Sequence, residues 1–205
     1  RGFETLTTTL EGRVDHTDSA GNSGRYGDGD LQWMTAGAGI VHGEMFPLVN
    51  ADKPNPMRLF QIWLNLPAKN KMVPPVFVMH WAESIPKVQT PSLSVTVFAG
   101  EFEGATALPP PPHSWAADIE NDVAVWHIVL QPGATLTVPA AKSGSKANRS
   151  LYLTAGDAVE IGGRKISKGH FAELDAAKSV VVSAVGYVEL LLLQGRPIGE
   201  PVAKH

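Results

Sequence analysis

The chain has 205 residues, no cysteine and a formal charge of −3, with 43% hydrophobic and 18% charged residues. That is enough apolar material for a packed core and too little charge for a disordered chain. The mildly acidic balance argues against a broad basic surface for direct nucleic-acid binding. The lack of cysteine excludes disulfides, thiolate metal sites and cysteine nucleophiles.

The sequence opens at Arg1-Gly2-Phe3-Glu4-Thr5, with no initiator Met and no apolar signal core. It closes at Glu200-Pro201-Val202-Ala203-Lys204-His205. Both ends read as those of a fragment, a truncated piece of a longer polypeptide. The most apolar region, residues 180–193, is interrupted by Ser183, Gly186 and Glu189. It is too short and too broken to cross a bilayer as a helix, so no membrane span is expected.

In chain order the pattern predicts an all-β protein. Residues 3–10 form a Thr-rich strand, closed by a turn at Glu11-Gly12. Residues 58–64 form a second, and residues 93–98 alternate with the period of two that a half-buried strand requires. Pro74-Pro75 followed by Val76-Phe77-Val78-Met79 is unusually apolar for a connection, and is expected to cover a barrel mouth or to dock on another protein. Residues 104–114 include Pro109-Pro110-Pro111-Pro112, a run that cannot be an interior strand and favours an extended segment. The expected division is therefore an N-terminal domain at 1–103, a Pro-rich linker at 104–114 and a C-terminal domain at 115–205. The second part repeats the style, with strands expected at 123–130, 134–138, 151–154, 157–161, 179–184 and 187–193. Gly162-Gly163 supplies a hairpin turn.

Chemistry concentrates in residues 29–45. Within them His42-x-Glu44 places an imidazole and a carboxylate two residues apart, hence on one face of a strand. Such a pair suits a divalent transition metal. It is also common on solvated strand faces, where it binds nothing. No Ser-His-Asp order, phosphate loop or dinucleotide-binding glycine pattern is present.

The wider context carries a resemblance. Arg1-Gly2-Phe3-Glu4-Thr5, His16-x-Asp18-Ser19-x-Gly21-Asn22, the long block Gly29 to Met45, and Gln61-x-Trp63-x-Asn65-Leu66-Pro67-Ala68-Lys69-x-Lys71-Met72 together resemble the pirin family. The tail from Gly195, ending in Gly199-Glu200-Pro201-Val202, is similar to that family's C-terminal region. Residues 110–185 match only in β character.

The resemblance implies two cupin domains, β-barrels of jelly-roll type, facing each other. The N-terminal one would hold iron through three histidines and a glutamate. His42 and Glu44 match one of the family's ligand pairs. The other pair, a His-x-His, immediately precedes the Arg-Gly-Phe-Glu stretch and does not occur in this sequence. For the chain as it stands iron is therefore expected to be weakly bound or absent. An octahedral iron with four protein ligands keeps two positions for oxygen or substrate. The resemblance implies either a redox-sensitive regulatory cofactor for transcription proteins or a quercetin 2,3-dioxygenase type of enzyme. In the enzyme reading, Glu44 is also the candidate base for a flavonol-like substrate. A metal-free subunit of a larger assembly is the alternative. Protein partners are expected in the regulatory and assembly readings. The family implies a cytoplasmic or nuclear location, with an organelle admitted should a targeting segment precede Arg1.

The other candidates divide between bland and functional readings. His16 is expected to be a hydrogen-bonded loop residue supporting the adjacent turn. His80 is read as surface or interface, His113 as linker and His127 as half-buried on its strand. His170 belongs to a domain for which the resemblance implies no metal, and His205 is terminal. Trp33 and Met34 line the first barrel or belong to its core. Lys69 and Lys71 are solvated loop residues or contacts for an anion or partner. Gly37 and Gly39 serve a turn or a close backbone approach to the site.

Overall fold

A computed structural model describes residues 1–201, so Val202 and His205 lie outside the described residues. Among the described residues the regular structure is β-strand with four short 3-10 turns, and there is no α-helix. Among the described residues no helix is long and apolar enough to cross a membrane.

The chain forms two units. The first contains Arg1–Ile85, Pro109–Ala117 and the tail from Ile198. Its strands are β1 (Phe3–Glu11), β2 (Arg13–Asp18), β3 (Ser23–Gly27), β4 (Leu31–Thr35), β5 (His42–Met45), β6 (Arg58–Asn65) and β7 (Val76–His80). They make a four-stranded antiparallel sheet in the order β6-β1-β4-β7 and a three-stranded one in the order β3-β2-β5. β1 is rich in Thr, whose branched side chain fits a pleated surface packed on both sides. Leu6, Leu31, Trp33, Val14 and Tyr26 are buried around it.

The second unit contains Pro86–Leu108 and Asp118–Pro197. Its strands are β8 (Lys87–Gln89), β9 (Leu93–Ala99), β10 (Glu101–Phe102), β11 (Ala105–Thr106), β12 (Ala124–Leu130), β13 (Thr135–Val138), β14 (Asn148–Ala155), β15 (Ala158–Ile161), β16 (Arg164–Ser167), β17 (Phe171–Glu173), β18 (Val180–Ser183) and β19 (Val188–Gly195). A six-stranded sheet runs β17-β14-β19-β12-β9-β8 and a four-stranded one runs β13-β18-β15-β16. Alternation puts Trp126, Ile128 and Leu130 of β12 beside Leu190 and Leu192 of β19 in one core with Val95, Val97 and Leu151. Phe102 meets Trp126 edge-on at 5.0 Å. Gly162 and Gly163, both at positive φ, form the two-residue turn between Ile161 and Arg164.

This division differs from the expected one. Residues 93–99 were assigned to the N-terminal domain because they precede the prolines. Val95 of β9 instead pairs with Ile128 of β12, so residues 86–108 belong with the second unit. Nor is the proline run a free linker. The Ser114 hydroxyl donates to Glu4 Oε2 at 2.5 Å, and Asn70 Nδ2 donates to the His113 carbonyl, tying Pro109–Ala117 to the first unit. The apolar stretch after Pro75 is not a connecting loop. It is β7, the edge strand paired with β4.

Candidate metal centre

β2 and β5 pair antiparallel, with Asp18 opposite His42 and His16 opposite Glu44. Paired residues share a face, so the four side chains form a square at one end of the three-stranded sheet. The chain reaches β5 through the turn Ala36-Gly37-Ala38-Gly39, where Gly39 N donates to the Ala36 carbonyl and Ala38 N to that of Val73. A Cβ on Gly37 would lie 2.0 Å from the Val73 carbonyl oxygen. Gly37 therefore serves a close backbone approach. Ser19 then fixes Val41, accepting from its N–H and donating its own N–H to its carbonyl.

The motif His16-x-Asp18-Ser19-x-Gly21-Asn22 is one hydrogen-bonded assembly. Asp18 Oδ1 accepts from the backbone N–H groups of Ala20 and Asn22, and its carboxylate also accepts from Asn22 Nδ2. Gly21 takes the positive φ that the turn needs. His16 Nε2 donates to Asp18 Oδ2 at 3.1 Å. Burial alone would raise the Asp18 pKa. The donors from Asn22, His16 and Ala20 outweigh it and bring it down to about 2. With Nε2 committed to Asp18, His16 turns Nδ1 toward Glu44, 3.9 Å from Oε1, and stacks on His42 with ring centroids 5.6 Å apart.

His16 is thus neither in a loop nor confined to supporting a turn. It is a buried residue of β2 standing against both members of the candidate ligand pair. The sequence held a clue in the i, i+2 spacing of His16 and Asp18, the same spacing as His42 and Glu44. Tyr26 of β3 was also missed. It is buried and reaches Glu44 Oε1 with its hydroxyl at 3.4 Å. Burial, and then the nearby Glu44 charge, push its phenol pKa up, so it stays a neutral donor.

His42 is exposed and Glu44 half-buried. They offer one imidazole and one carboxylate from one strand face, a chemically sound pair for iron or nickel. Among the described residues no three His, Asp or Glu side chains are grouped to hold a metal ion. The residues present therefore fit part of a ligand set and not a whole one.

The remaining candidates lie elsewhere. His80 is buried in β7, not at a surface. Burial lowers its pKa, opposed by its hydrogen bond to the Pro109 backbone. His127 is buried on β12, its Nε2 3.0 Å from Glu189 Oε2, on the face opposite the core of its sheet. His113 and His170 are exposed. Lys71 is held by the Gly2 carbonyl and Asn65 Oδ1, while Lys69 is exposed. Neighbours on a strand face opposite ways, so of Trp33 and Met34 only Met34 shares the face of Phe77, which touches His16 at 5.1 Å. In the tail, Glu200 accepts from the Ala68 N–H at 2.7 Å.

The pirin family model matches residues 1–64, and that of the pirin C-terminal cupin domain matches residues 125–205. A pirin-like protein of Caulobacter vibrioides is 37% identical over the whole chain, which spans 70% of that relative. Pirin of Homo sapiens is 34% identical over the whole chain and 67% of its own length. Among solved structures, quercetin 2,3-dioxygenase from Acinetobacter baumannii superposes with a TM-score of 0.87 at 28% identity, covering the whole chain and 68% of that protein. With both family models matched and such relatives along its full length, the chain belongs to the pirin family of cupin proteins.

Proposed function

We propose that this chain belongs to a metal-dependent pirin that acts on a flavonol-like substrate with dioxygen. His42 and Glu44 contribute two of the metal ligands, and iron is the expected metal. The observation that carries this reading is the square of His16, Asp18, His42 and Glu44, in which one pair orients and the other is presented outward. Support comes from the Acinetobacter baumannii dioxygenase, whose fold extends over the whole chain. When bound, the metal supplies a Lewis-acidic centre for substrate and oxygen. The residues of this chain supply the rest. Glu44 is placed to accept the acidic hydroxyl proton of a flavonol, Tyr26 donates toward its Oε1, and Asp18 fixes the His16 ring behind it.

The test is made on the native protein. Its intact mass and bound metal are measured on one sample, followed by oxygen uptake with quercetin. About one iron per chain, with quercetin-dependent oxygen uptake that Glu44→Gln abolishes, supports the reading. A native protein that holds a full complement of iron and leaves quercetin untouched overturns it.

A further inference from the structure

The segment from Phe46 to Met57 joins β5 to β6 and carries large apolar side chains into solvent. Phe46 is 54% exposed, Val49 59% and Leu48 81%. A lone exposed apolar residue is ordinary, but a cluster marks a surface that meets something. The segment is also clasped shut on itself. Asn50 N–H donates to Asn55 Oδ1 at 2.8 Å, and Asn55 Nδ2 donates back to the Asn50 carbonyl at 2.9 Å. Pro47, Pro54 and Pro56 restrict the backbone around that clasp. Its far end sits on the β1–β2 turn, where a Cβ on Gly12 would lie 2.6 Å from the Pro56 carbonyl oxygen.

A cleft of about 300 Å³ lies between this segment and the turns at Glu11-Gly12-Arg13 and Asp28. That is the small end of the range for small-molecule sites, about 300–1,000 Å³. Phe46, Leu48, Val49 and Met57 give it an apolar wall, and Glu11, Arg13 and Asp28 give it a charged one. These charges are not spent on one another. Asp28 Oδ1 accepts from the Gly12 N–H, while Arg13 Nε is 3.7 Å from Asp28 Oδ2, too long for a hydrogen bond. Among the described residues the Glu11 carboxylate and the terminal nitrogens of Arg13 enter no hydrogen bond or ion pair. Along β2, Val14 and His16 are buried and Arg13 alternates to the other face, away from His42 and Glu44.

We infer that this cleft binds a free α-amino acid with an apolar side chain, at a site separate from the metal centre. The ligand carboxylate meets the guanidinium fork of Arg13, whose planar donors suit a carboxylate. The ligand ammonium meets Glu11, and the side chain lies against Phe46 and Leu48. A zwitterion matches both unspent charges, whereas a singly charged molecule with the same body leaves one of them unmatched and partly desolvated. The clasped segment holds the cleft ready, so little ordering cost falls on binding. Nothing in this inference draws on the flavonol reading, and either can fail without the other.

The test titrates the native protein by calorimetry with three molecules of one body: phenylalanine, phenethylamine, which lacks the carboxylate, and 3-phenylpropionate, which lacks the ammonium. Phenylalanine should saturate one site at or below about 1 mM and bind about tenfold more tightly than either analogue. Arg13→Gln should bring phenylalanine down to the affinity of phenethylamine, and Glu11→Gln should bring it down to that of 3-phenylpropionate. Leu48→Ser should weaken all three alike. These side chains are exposed, so the variants should melt with the wild type, and equal melting temperatures show that a lost affinity is local. Either analogue binding as tightly as phenylalanine overturns the inference. So does an undiminished preference in both charge variants, or no saturable binding of any of the three at millimolar concentration.

Discussion

His16 on β2 stands directly across from Glu44 on β5, with Nδ1 3.9 Å from Glu44 Oε1 while Nε2 is held by Asp18. One imidazole thereby couples the turn at 18–22 to the strand that carries the candidate ligands. That coupling separates the roles of the four residues, and each can be tested by itself.

His42 is the exposed member, and its ring stacks on His16. In the native protein, His42→Ala should remove most of the bound iron while leaving the far-UV circular dichroism unchanged. Metal content equal to the wild type would refute the ligand assignment.

Asp18 is an organising acid. Asp18→Asn replaces one acceptor oxygen by a donor that faces the donors of Asn22, Ala20 and His16. The expected loss is about 1–3 kcal/mol. The pH dependence follows from the depressed pKa. Folded Asp18 titrates at about 2, below its ordinary 3.8, so it stabilises the fold fully above 3.8 and progressively less as the pH falls to about 2. Denaturant melts across this acid range should show that slope in the wild type and its reduction in Asp18→Asn.

Glu4 tests the opposite sign. Burial raises its pKa, against the hydrogen bonds from Ser114 and Thr35 that hold it down. The folded state therefore keeps the proton longer than the unfolded one, and stability rises as the pH falls through the raised value toward 4.5. Ser114→Ala removes a donor to the charged form and should cost about 1–3 kcal/mol near neutral pH, less once Glu4 is protonated. A deficit that does not shrink on acidification would show that Ser114 acts by packing.

Gly37 and Gly21 both take positive φ, but only Gly37 approaches other backbone closely. Gly37→Ala should cost more than about 2 kcal/mol, because its Cβ meets the Val73 carbonyl. Gly21→Ala has nothing within 4 Å of the new Cβ and should cost only the backbone strain, about 1 kcal/mol. Thermal melts of the two variants decide whether close approach or backbone conformation governs at Gly37.

Strands with clear alternation were legible in the sequence. Residues 93–98 and 123–130 fell as expected because their apolar set matches a period of two. β2 and β3, Arg13–Asp18 and Ser23–Gly27, were not. Their polar and glycine-rich residues have little strand preference of their own, and pairing with each other and with β5 holds them in place. The same cause hid His16. Its meaning depends on register with Glu44, which a local pattern does not encode. The His42-x-Glu44 pair was legible because strand geometry alone puts both side chains on one face. The division of the chain was misread because a proline run marks a boundary in sequence, whereas the partner of β9 is a strand beyond that run.

The interleaving of the two units also sets an order of events during synthesis. A chain emerging from the ribosome presents Glu4 early, but its partner Ser114 follows 110 residues later. Before Ser114 arrives, β8 and β9 have already left the exit tunnel, and β9 must wait for β12 to provide its ladder. Neither unit can be finished before the other has begun. The usual sequence in which an N-terminal domain folds first and alone gives way here to joint completion, and a nascent chain halted before residue 114 would carry a carboxylate served by Thr35 and still waiting for its second donor.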